Sequence, residues 1–203
     1  MKTGMKLSRP ARNWWAKEYK GASTVIDFCR GRAMHGGRSV PVADLIEGHS
    51  SDYSVNGIFI GNGDVVRLHD PSILSASEGG LLIECCQTFN PHSCIIDFGD
   101  DDHAIEVGSS ATHVDHFNGS SVMTATAGVH NIHFMSRIAL TWGPGYRALC
   151  FNGGPVARDY EGLGPVVDVC LGSKAGVERF LNGFVRVVAV FLGAIEEKRL
   201  PML

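Results

Sequence analysis

Carboxylates are the residues of this sequence that could hydrolyse a glycosidic bond, and their spacing argues against that chemistry. A strand can present two acids on one face only if they stand two residues apart, the arrangement that glucanases of β-sandwich folds use. Glu84, Asp97 and Asp168 each stand alone in an apolar run, namely LLIECCQ, CIIDF and VVDVC. We interpret all three as solvent-facing strand residues, name no catalytic residue and predict that the protein is not an enzyme.

A run of aspartates offers the weak candidates for a metal site. The run follows Gly99 and comprises Asp100, Asp101 and Asp102. Carboxylate oxygens from loops are ligands that Ca²⁺ prefers, but aspartates beside a glycine also favour turns by bonding their own backbone. Because the run lies between two strand-like segments, we interpret it as a solvated turn and expect no metal and no cofactor.

Two pairs of histidines have the spacing that would place both rings on one face of a helix. The pairs are His113 with His116, and His130 with His133. The segment HVDHF is strand-like, however, and residues three apart on a strand point to opposite faces. We therefore predict that His113 and His116 are divided between the core and the outside, and that they form no metal site.

Six cysteines are present, and most lie inside apolar runs such as CIIDF, ALCF and VCLG. They lack the paired short spacing of a zinc ribbon or redox motif, and a reduced cysteine packs as a small hydrophobe. Disulfide staples between subunits, or between arm and domain, are the alternative, with Cys29, Cys85 and Cys86 as candidates. Since neighbouring strand residues face opposite ways, one of Cys85 and Cys86 should be buried while the other points outward.

Two adjacent tryptophans, Trp14 and Trp15, lie in the basic opening KLSRPARNWWAKEYK. Such a segment could bind nucleic acid through phosphate neutralisation and base stacking. It could equally bury its tryptophans against a neighbouring protein, since aromatic residues dominate interface energetics. Because the chain carries a formal net charge of −3, we favour protein docking and predict no nucleic-acid partner.

A glycan site usually needs an exposed aromatic platform beside polar donors, and the sequence offers few candidates for one. Tyr146 in a hairpin and Tyr160 in ARDYEG are the isolated candidates for glycan binding. Trp142 lies in the strand-like run ALTW, so we expect it to pack inside the protein. The sequence thus leaves glycan binding as an alternative with two named residues.

Many short strands must position these residues. Turn signals such as Asn118-Gly119 and Asn152-Gly153-Gly154 separate β-rich runs from Gly57 onward, and such pairs supply the positive φ of tight hairpins. The runs ALTW and YRALCF predict a hairpin across Gly143-Pro144-Gly145. The apolar run 184–192 predicts a central strand, followed by a short helical turn over 194–199 that stops before a proline. The pattern predicts an all-β fold.

The pattern of the sequence changes near Val55, from irregular sequence to short β-rich runs separated by turns. Residues 1–54 are irregular, and their opening is polar and basic without the apolar stretch of a secretory signal. No window approaches the roughly 20 apolar residues of a membrane-spanning helix. We predict an N-terminal docking arm over 1–54 and a sandwich domain over 55–203. We further expect a soluble chain that is not exported by the Sec route and has no membrane partner.

The segment from about Val55 to Leu203 resembles the laminin-G-like family of concanavalin A-type domains, which includes bacteriophage virion proteins. GIFIGNGDVVRLHDPSILSASEGGLLIEC is similar to the opening of the family, and RIALTWGPGYRALCFNGGPV with VVDVCLGSKAGVERFLNGFVRVVAVFLGAIEEKRL is similar to its ending. This ending looks most like that of phage virion and tail proteins. The resemblance implies a jelly-roll β-sandwich preceded by an extended N-terminal arm.

Two functions follow from the resemblance, since the fold alone does not assign one. The first is a non-enzymatic structural protein of the virion, in capsid decoration, neck or tail. Its arm would dock on other virion proteins, and we expect a homo-oligomer located in the virion. The alternative is a carbohydrate-binding module for glycans of the host surface.

Overall fold

The structure is a computed structural model that describes most of the chain from Tyr19 to Leu203. The described residues are 19–48, 53–61, 63–74, 76–87, 91–99, 103–108, 113–127, 135–174, 176 and 178–203. Several residues singled out in the sequence lie outside these ranges, so the predictions made for them stay predictions: Trp14, Trp15, Asp100, Asp101, Asp102, His130 and His133. Within the described ranges, no helix has the length and apolar character needed to span a membrane.

The described residues form strands joined by turns and short 3-10 helices. In chain order the strands are β1 (Thr24–Asp27), β2 (Arg32–His35), β3 (Arg38–Val40), β4 (Ile46–Gly48), β5 (Tyr53–Ser54), β6 (Gly57–Ile60), β7 (Val66–Leu68), β8 (Gly79–Gln87), β9 (Cys94–Asp97), β10 (His103–Val107), β11 (His113–Asn118), β12 (Ser121–Thr126), β13 (Ser136–Gly143), β14 (Tyr146–Phe151), β15 (Ala157–Asp159), β16 (Cys170–Leu171) and β17 (Gly183–Phe191). The 3-10 helices are Val42–Asp44, Pro71–Leu74 and Glu197–Met202. The all-β prediction is confirmed.

Two antiparallel sheets contain these strands. The large sheet has the order β15-β14-β13-β8-β17-β1-β2-β3. Strand β6 also pairs with β17 and carries β5 on its other side, so β1 and β6 follow one another along the same edge of β17. The small sheet has the order β12-β11-β10-β9-β16-β7-β4. Strand β17 is therefore central, as its apolar sequence predicts.

The main hydrophobic core lies between the two sheets, which makes the protein a β-sandwich. Ile83 and Val188 of the large sheet pack in one buried cluster with Ile96 and Val114 of the small sheet. Trp142 joins this cluster, as predicted, and its indole nitrogen donates a hydrogen bond of 2.9 Å to the carbonyl of Ala76. The predicted hairpin is also confirmed, because β13 and β14 pair from Ile138 with Phe151 to Gly143 with Tyr146, next to the turn.

A second apolar cluster covers part of the outer face of the large sheet. Leu82 and Ala189 of this face pack with Ile195 and Leu200, which come from the segment after β17. The last 3-10 helix of this segment, Glu197–Met202, extends through Pro201 instead of stopping before it. Proline fixes φ near −65°, a value that a 3-10 helix accepts, so the residue does not end this element.

The two sheets begin inside the segment that the sequence assigns to an arm. Strands β1, β2 and β3 belong to the large sheet and β4 belongs to the small sheet, although all four precede Val55. The runs TVID and RAMH are too short to stand out in the sequence, yet β1 hydrogen-bonds to half of the central strand and is buried at every position. A docking role for the segment 1–54 remains a prediction, and its residues 1–18 lie outside the described ranges.

Two of the lone carboxylates are not solvent-facing, contrary to the sequence-based interpretation. Glu84 is 6% exposed and Asp97 is 3% exposed. Glu84 is stabilised by an ion pair with Arg137 at 2.7 Å, and Asp97 accepts a hydrogen bond from the backbone amide of Gly99. The side chain of Asp168 is 45% exposed, as predicted, and forms an ion pair with Arg67.

Candidate functional site

Four charged residues form a row across the outer face of the large sheet, here called the charge row. The strand register pairs Asp27 with Val187, and Val187 with Glu84. Further out, Arg32 stands opposite Asp27 and Arg137 stands opposite Glu84. Residues opposite one another in a sheet have side chains on the same face. The charge row therefore crosses five neighbouring strands, with two arginines outside, two carboxylates inside them and Val187 in the middle.

Ion pairs hold the carboxylates of the charge row in place. Oδ2 of Asp27 lies 3.0 Å from Nε of Arg32 and 3.0 Å from Nη1 of Arg30. Oε1 of Glu84 lies 2.7 Å from Nη2 of Arg137. Asp27 is only 1% exposed, and a carboxylate with so little access to water needs such partners to offset its lost hydration.

The charge row borders a groove of about 660 Å³, here called the outer groove. Its floor combines apolar and charged side chains, among them Leu82, Val187 and Glu84. Tyr19 and Arg30 line it from the N-terminal side, whereas Met202 and Leu203 line it from the C-terminal segment. This volume falls in the range that binding sites for small ligands occupy. The two ends of the described chain thus frame a concave, polar site on one sheet.

A β-bulge brings a further arginine into the outer groove. The pairing of β17 with β8 shifts register between Val185 and Val187, and Arg186 is the extra residue. Its carbonyl oxygen accepts a hydrogen bond of 2.9 Å from the amide of Phe28, which fixes the bulge to the chain after β1. Bulges re-aim side chains, and here the side chain of Arg186 lines the groove.

All six cysteines lie among the described residues and carry free thiols. Cys85 is buried between the sheets while Cys86 is half-buried on the opposite face, as the strand pattern predicts. Cys29 is half-buried and lines the outer groove. Cys29 and Cys86 flank β17 on opposite sides, so about 10 Å of sheet separates them, beyond the reach of a disulfide. A staple between subunits stays a prediction for these two thiols.

A buried group of polar residues, here called the inner polar cluster, lies between the sheets where β14 and β15 meet β11 and β12. Nη2 of Arg147 donates hydrogen bonds of 2.8 Å to Oγ of Ser121 and to Oδ2 of Asp159. The bond from Arg147, together with one that the Ser121 hydroxyl donates to the same carboxylate oxygen, lowers the pKa of Asp159 to about 2. Arg147 is completely buried, so the cluster joins the two sheets through hydrogen bonds.

His116 belongs to the inner polar cluster and is completely buried. Its ring stacks with that of His103, at 5.4 Å between the centroids. Burial, and then the charge of Arg147, lower the pKa of His116 well below its ordinary value. His113 lies on the other face of β11 beside Asp115, so the predicted division of the two histidines is confirmed. Within the described ranges, no group of three potential ligands could hold a metal ion.

The structure places the two predicted glycan-binding tyrosines at the rim of the large sheet, away from the outer groove. Arg147 pairs with Asp159, and one step further along this register lie Tyr146 and Tyr160. Tyr160 is 88% exposed, whereas Tyr146 is half-buried against Gly143. Neither residue lines the outer groove. The rim therefore offers one fully exposed aromatic ring.

Sequence reasoning did not assign the residues of the outer groove to a site, although a signal for them exists. Asp27 in TVIDF, Glu84 in LLIEC, Arg137 in SRIAL and Arg186 in FVRVV are each the single charge of an apolar run. A charge in such a run is costly unless it has a partner. The sequence does not show how the strands pair, and only the pairing shows that these four charges line one groove.

Comparisons with known proteins show the fold. The sequence matches no protein-family model, and no curated protein is significantly similar to it. Among solved structures, the chain is similar to domain 4 of a GH43 extracellular arabinanase from Geobacillus stearothermophilus, with a TM-score of 0.59, 13% identity and coverage of 89% of this chain and 97% of that one. It is also similar to the CBM40 of the Ruminococcus gnavus IT-sialidase, with a TM-score of 0.55, 17% identity and coverage of 78% and 96%.

The similarity extends to part of a larger enzyme. The Trypanosoma rangeli sialidase matches with a TM-score of 0.64 and 10% identity over 89% of this chain, but only 32% of that chain is covered. At such identities these similarities establish an all-β sandwich whose structural neighbours lie in carbohydrate-binding and sialidase-like sandwich domains. An all-β sandwich is therefore the class of domain that these comparisons show.

Proposed function

We propose that this protein is a non-catalytic carbohydrate-binding module with a concanavalin A-like jelly-roll fold, and that its ligand lies in the outer groove. The observation that carries the proposal is the charge row, which places ion-paired arginines and carboxylates along a concave face of about 660 Å³. These side chains form a rigid array because each is held by a neighbour.

The chemistry of the groove suits a saccharide. Sugar hydroxyls both donate and accept hydrogen bonds, so they can bond to a carboxylate of the charge row on one side and to a guanidinium on the other. The C–H faces of a sugar ring need apolar contacts, which Leu82, Val187 and Phe191 provide in the groove. Apolar surface with a few convergent polar groups is typical of small-ligand sites.

The ligands of two structural neighbours support this class. The arabinanase domain was solved with arabinotriose, and the CBM40 with α2,3 sialyllactose. Both are saccharides, bound by domains that this chain covers almost completely. Saccharide binding is therefore the function that we infer for the present sandwich.

The absence of catalysis is part of the proposal. Glycoside hydrolysis by paired acids needs one carboxyl group that is free to give its proton to the leaving group. Asp27 and Glu84 face the same groove, but both are engaged by arginines at 2.7 to 3.0 Å. We expect no glycosidase activity when the protein is incubated with the glycans that it binds.

A glycan array probed with the full chain, followed by calorimetric titration, tests the proposal. Arg30→Gln should weaken binding at least about fivefold, since Arg30 lines the groove and bonds Asp27. Arg158→Gln is the matched control, because Arg158 lies on the same sheet but does not line the groove. Failure to bind any glycan would refute the function. Loss of binding in Tyr160→Ala but not in Arg30→Gln would move the site to the rim.

A structural role in a virion, with the virion as location, is the second proposal. It is supported by the resemblance to virion and tail proteins and by the adjacent tryptophans Trp14 and Trp15 in the basic opening. In this role the N-terminal opening would dock on other proteins, while the outer groove would bind the ligand. The two proposals are compatible, since display of a glycan-binding sandwich needs a point of attachment.

A further inference from the structure

The side chains that line the outer groove include more bases than acids. Among its lining residues, Asp27 and Glu84 are the acids, whereas Arg30, Arg137 and Arg186 are the bases. Arg30 is paired with Asp27, and Arg137 is paired with Glu84. Arg186 therefore stands as the surplus cation of this lining. The surplus runs against the formal net charge of the chain, which is −3.

The side chain of Arg186 has no ion-pair or hydrogen-bond partner among the described residues. It takes part in no ion pair with them, and its Nε atom is buried without a hydrogen-bond partner. Arg186 nevertheless lines the groove. A buried guanidinium nitrogen that lacks a partner is destabilising, because it has lost its hydrogen bond to water and forms no hydrogen bond within the protein. A ligand that supplies an acceptor would recover this cost.

The backbone holds Arg186 in a defined position. Its carbonyl oxygen accepts the amide of Phe28 at 2.9 Å and lies 3.9 Å from Sγ of Cys29. On either side of the bulge, Val185 and Val187 are anchored in the two apolar clusters. A rigid, planar guanidinium presents parallel N–H donors whose geometry matches that of a carboxylate. The position and the chemistry of the side chain both favour an anionic group.

We propose that Arg186 forms an acidic subsite of the outer groove, so that the preferred ligand is a saccharide that bears a carboxylate. This inference rests on the proposed function and specifies its ligand class. Neutral parts of the saccharide contact the charge row and the apolar floor. The carboxylate bonds to the guanidinium of Arg186, the one lining arginine that Asp27 and Glu84 do not neutralise.

Matched pairs of saccharides, one member with carboxylates and one without, test the subsite. The probes are sialyllactose against lactose, and galacturonate oligomers against galactose oligomers of the same length. For at least one pair we expect the acidic member to bind about tenfold more tightly, the amount that one charge-assisted hydrogen bond contributes. This preference should shrink between about 50 mM and about 500 mM NaCl, because salt screens a half-exposed charge pair.

Two variants assign the preference to Arg186. Arg186→Gln should reduce the ratio between acidic and neutral affinities to about one, and Arg186→Lys should keep part of the ratio. Arg158→Gln should leave the ratio unchanged. Circular dichroism melting verifies that each variant is folded, and Arg186→Lys decides the question if the glutamine variant does not fold.

The outcomes separate this inference from the proposed function. Equal affinity for acidic and neutral members in the unaltered protein overturns the acidic subsite but leaves carbohydrate binding intact. A preference that survives in Arg186→Gln also overturns it, since the selectivity would then come from other groups. Absence of binding to every glycan tested would contradict the proposed function itself.

Discussion

At the scale of single residues, the outer face of the large sheet shows how a strand can carry a charge within an apolar run. Burying a charge costs several kcal/mol unless a partner replaces the lost water. Glu84 is nearly buried, but its neighbour across the strands is Arg137, and Asp27 is bonded by Arg30 and Arg32. The same pairs that allow these charges to be buried present hydrogen-bonding groups to the groove.

The pair of Glu84 with Arg137 predicts an asymmetric response to substitution. Arg137→Ala leaves the buried carboxylate without its partner at 2.7 Å, so the free energy of unfolding should fall by about 1–3 kcal/mol. Adding Glu84→Gln to this variant should recover part of the loss, since the buried charge is then gone. Arg158→Ala, which breaks an exposed pair with Glu197, should cost at most about 1 kcal/mol. Urea denaturation measures all three, and equal losses for both arginines would contradict the argument.

Burial divides the cysteines into two reactivity classes. Burial raises the pKa of Cys85 to about 12 and that of Cys170 to about 11, and it also raises the pKa of Cys94 and Cys150. Thiolates are the reactive species, so these four should resist iodoacetamide in the native protein.

Cys29 and Cys86, by contrast, are half-buried and should be alkylated. Mass spectrometry of the labelled peptides gives the result, with urea-unfolded protein as the control in which all six react. Because Cys29 lines the outer groove, a bound glycan should slow its labelling and leave that of Cys86 unchanged. Rapid native labelling of Cys85 would refute its placement between the sheets.

His116 predicts that the protein loses stability in mild acid. Its pKa in the folded state lies well below the ordinary value, owing to burial and to the nearby charges of Arg147 and His103, with Asp159 acting in the opposite sense. Near pH 6.5 and below, His116 is therefore protonated in the unfolded chain but stays neutral in the folded chain. The contribution of neutral His116 to the free energy of unfolding is fully present above about pH 6.5, and it decreases below that pH by up to about 1.4 kcal/mol per pH unit.

Denaturation curves of a His116→Phe variant test this link. The variant should lose less stability between about pH 7 and about pH 5 than the unaltered protein, because its ring takes up no proton. His113→Gln is the control, since His113 lies on the outer face of the same strand and should leave the slope unchanged. Parallel curves for His116→Phe and the unaltered protein would show that His116 does not govern the acid response.

At the scale of elements, β1 is the strand that connects the N-terminal segment to the core. It pairs along β17 from Thr24 to Asp27 and is buried throughout. Removing residues 1–54 would leave this stretch of the central strand unpaired, and an exposed apolar edge promotes aggregation. We expect that truncated chain to be insoluble or to lose its cooperative unfolding. A chain that lacks only residues 1–18 keeps every described strand and should unfold as the full chain does, as measured by circular dichroism. Equal melting of both truncated chains would show that β1 is dispensable.

The elements also show how far the sequence could be interpreted. Apolar runs and glycine turns predicted the hairpin of β13 with β14 and the central strand β17, because these signals are local. The register of Asp27, Val187 and Glu84 depends on contacts between residues far apart in sequence, and the bulge at Arg186 becomes visible only when β8 is aligned beside β17. The outer groove therefore could not be assembled from the sequence, although each of its charges was visible there.

At the scale of the whole molecule, the sandwich limits how copies can associate. In the described part of the chain, the large sheet ends at β15, at β3 and, beside β6, at β5, which has only two residues. Strands β15 and β3 have three residues each, and each contains an arginine, Arg158 or Arg38. Short edge strands with charged side chains resist pairing with another sheet. Self-association through the edges of the large sheet is therefore not expected, and the N-terminal opening is the better candidate for contacts between copies.

The predicted homo-oligomer thus depends on Trp14 and Trp15. Each tryptophan can bury about 150–250 Å² against a partner, and two adjacent ones can anchor an interface. Sedimentation of the full chain should show an oligomer, whereas the Trp14→Ala, Trp15→Ala double variant should sediment as a monomer. Thermal midpoints of the two proteins, compared at a protein concentration where both are monomeric, should agree, since the substitutions lie outside the described sheets. An equal mass for both proteins would contradict docking through the arm.

Because the outer groove lies on the sandwich itself, the double variant should still bind the glycans that the full chain binds. Oligomerisation through the arm and glycan binding by the sandwich are then measured separately.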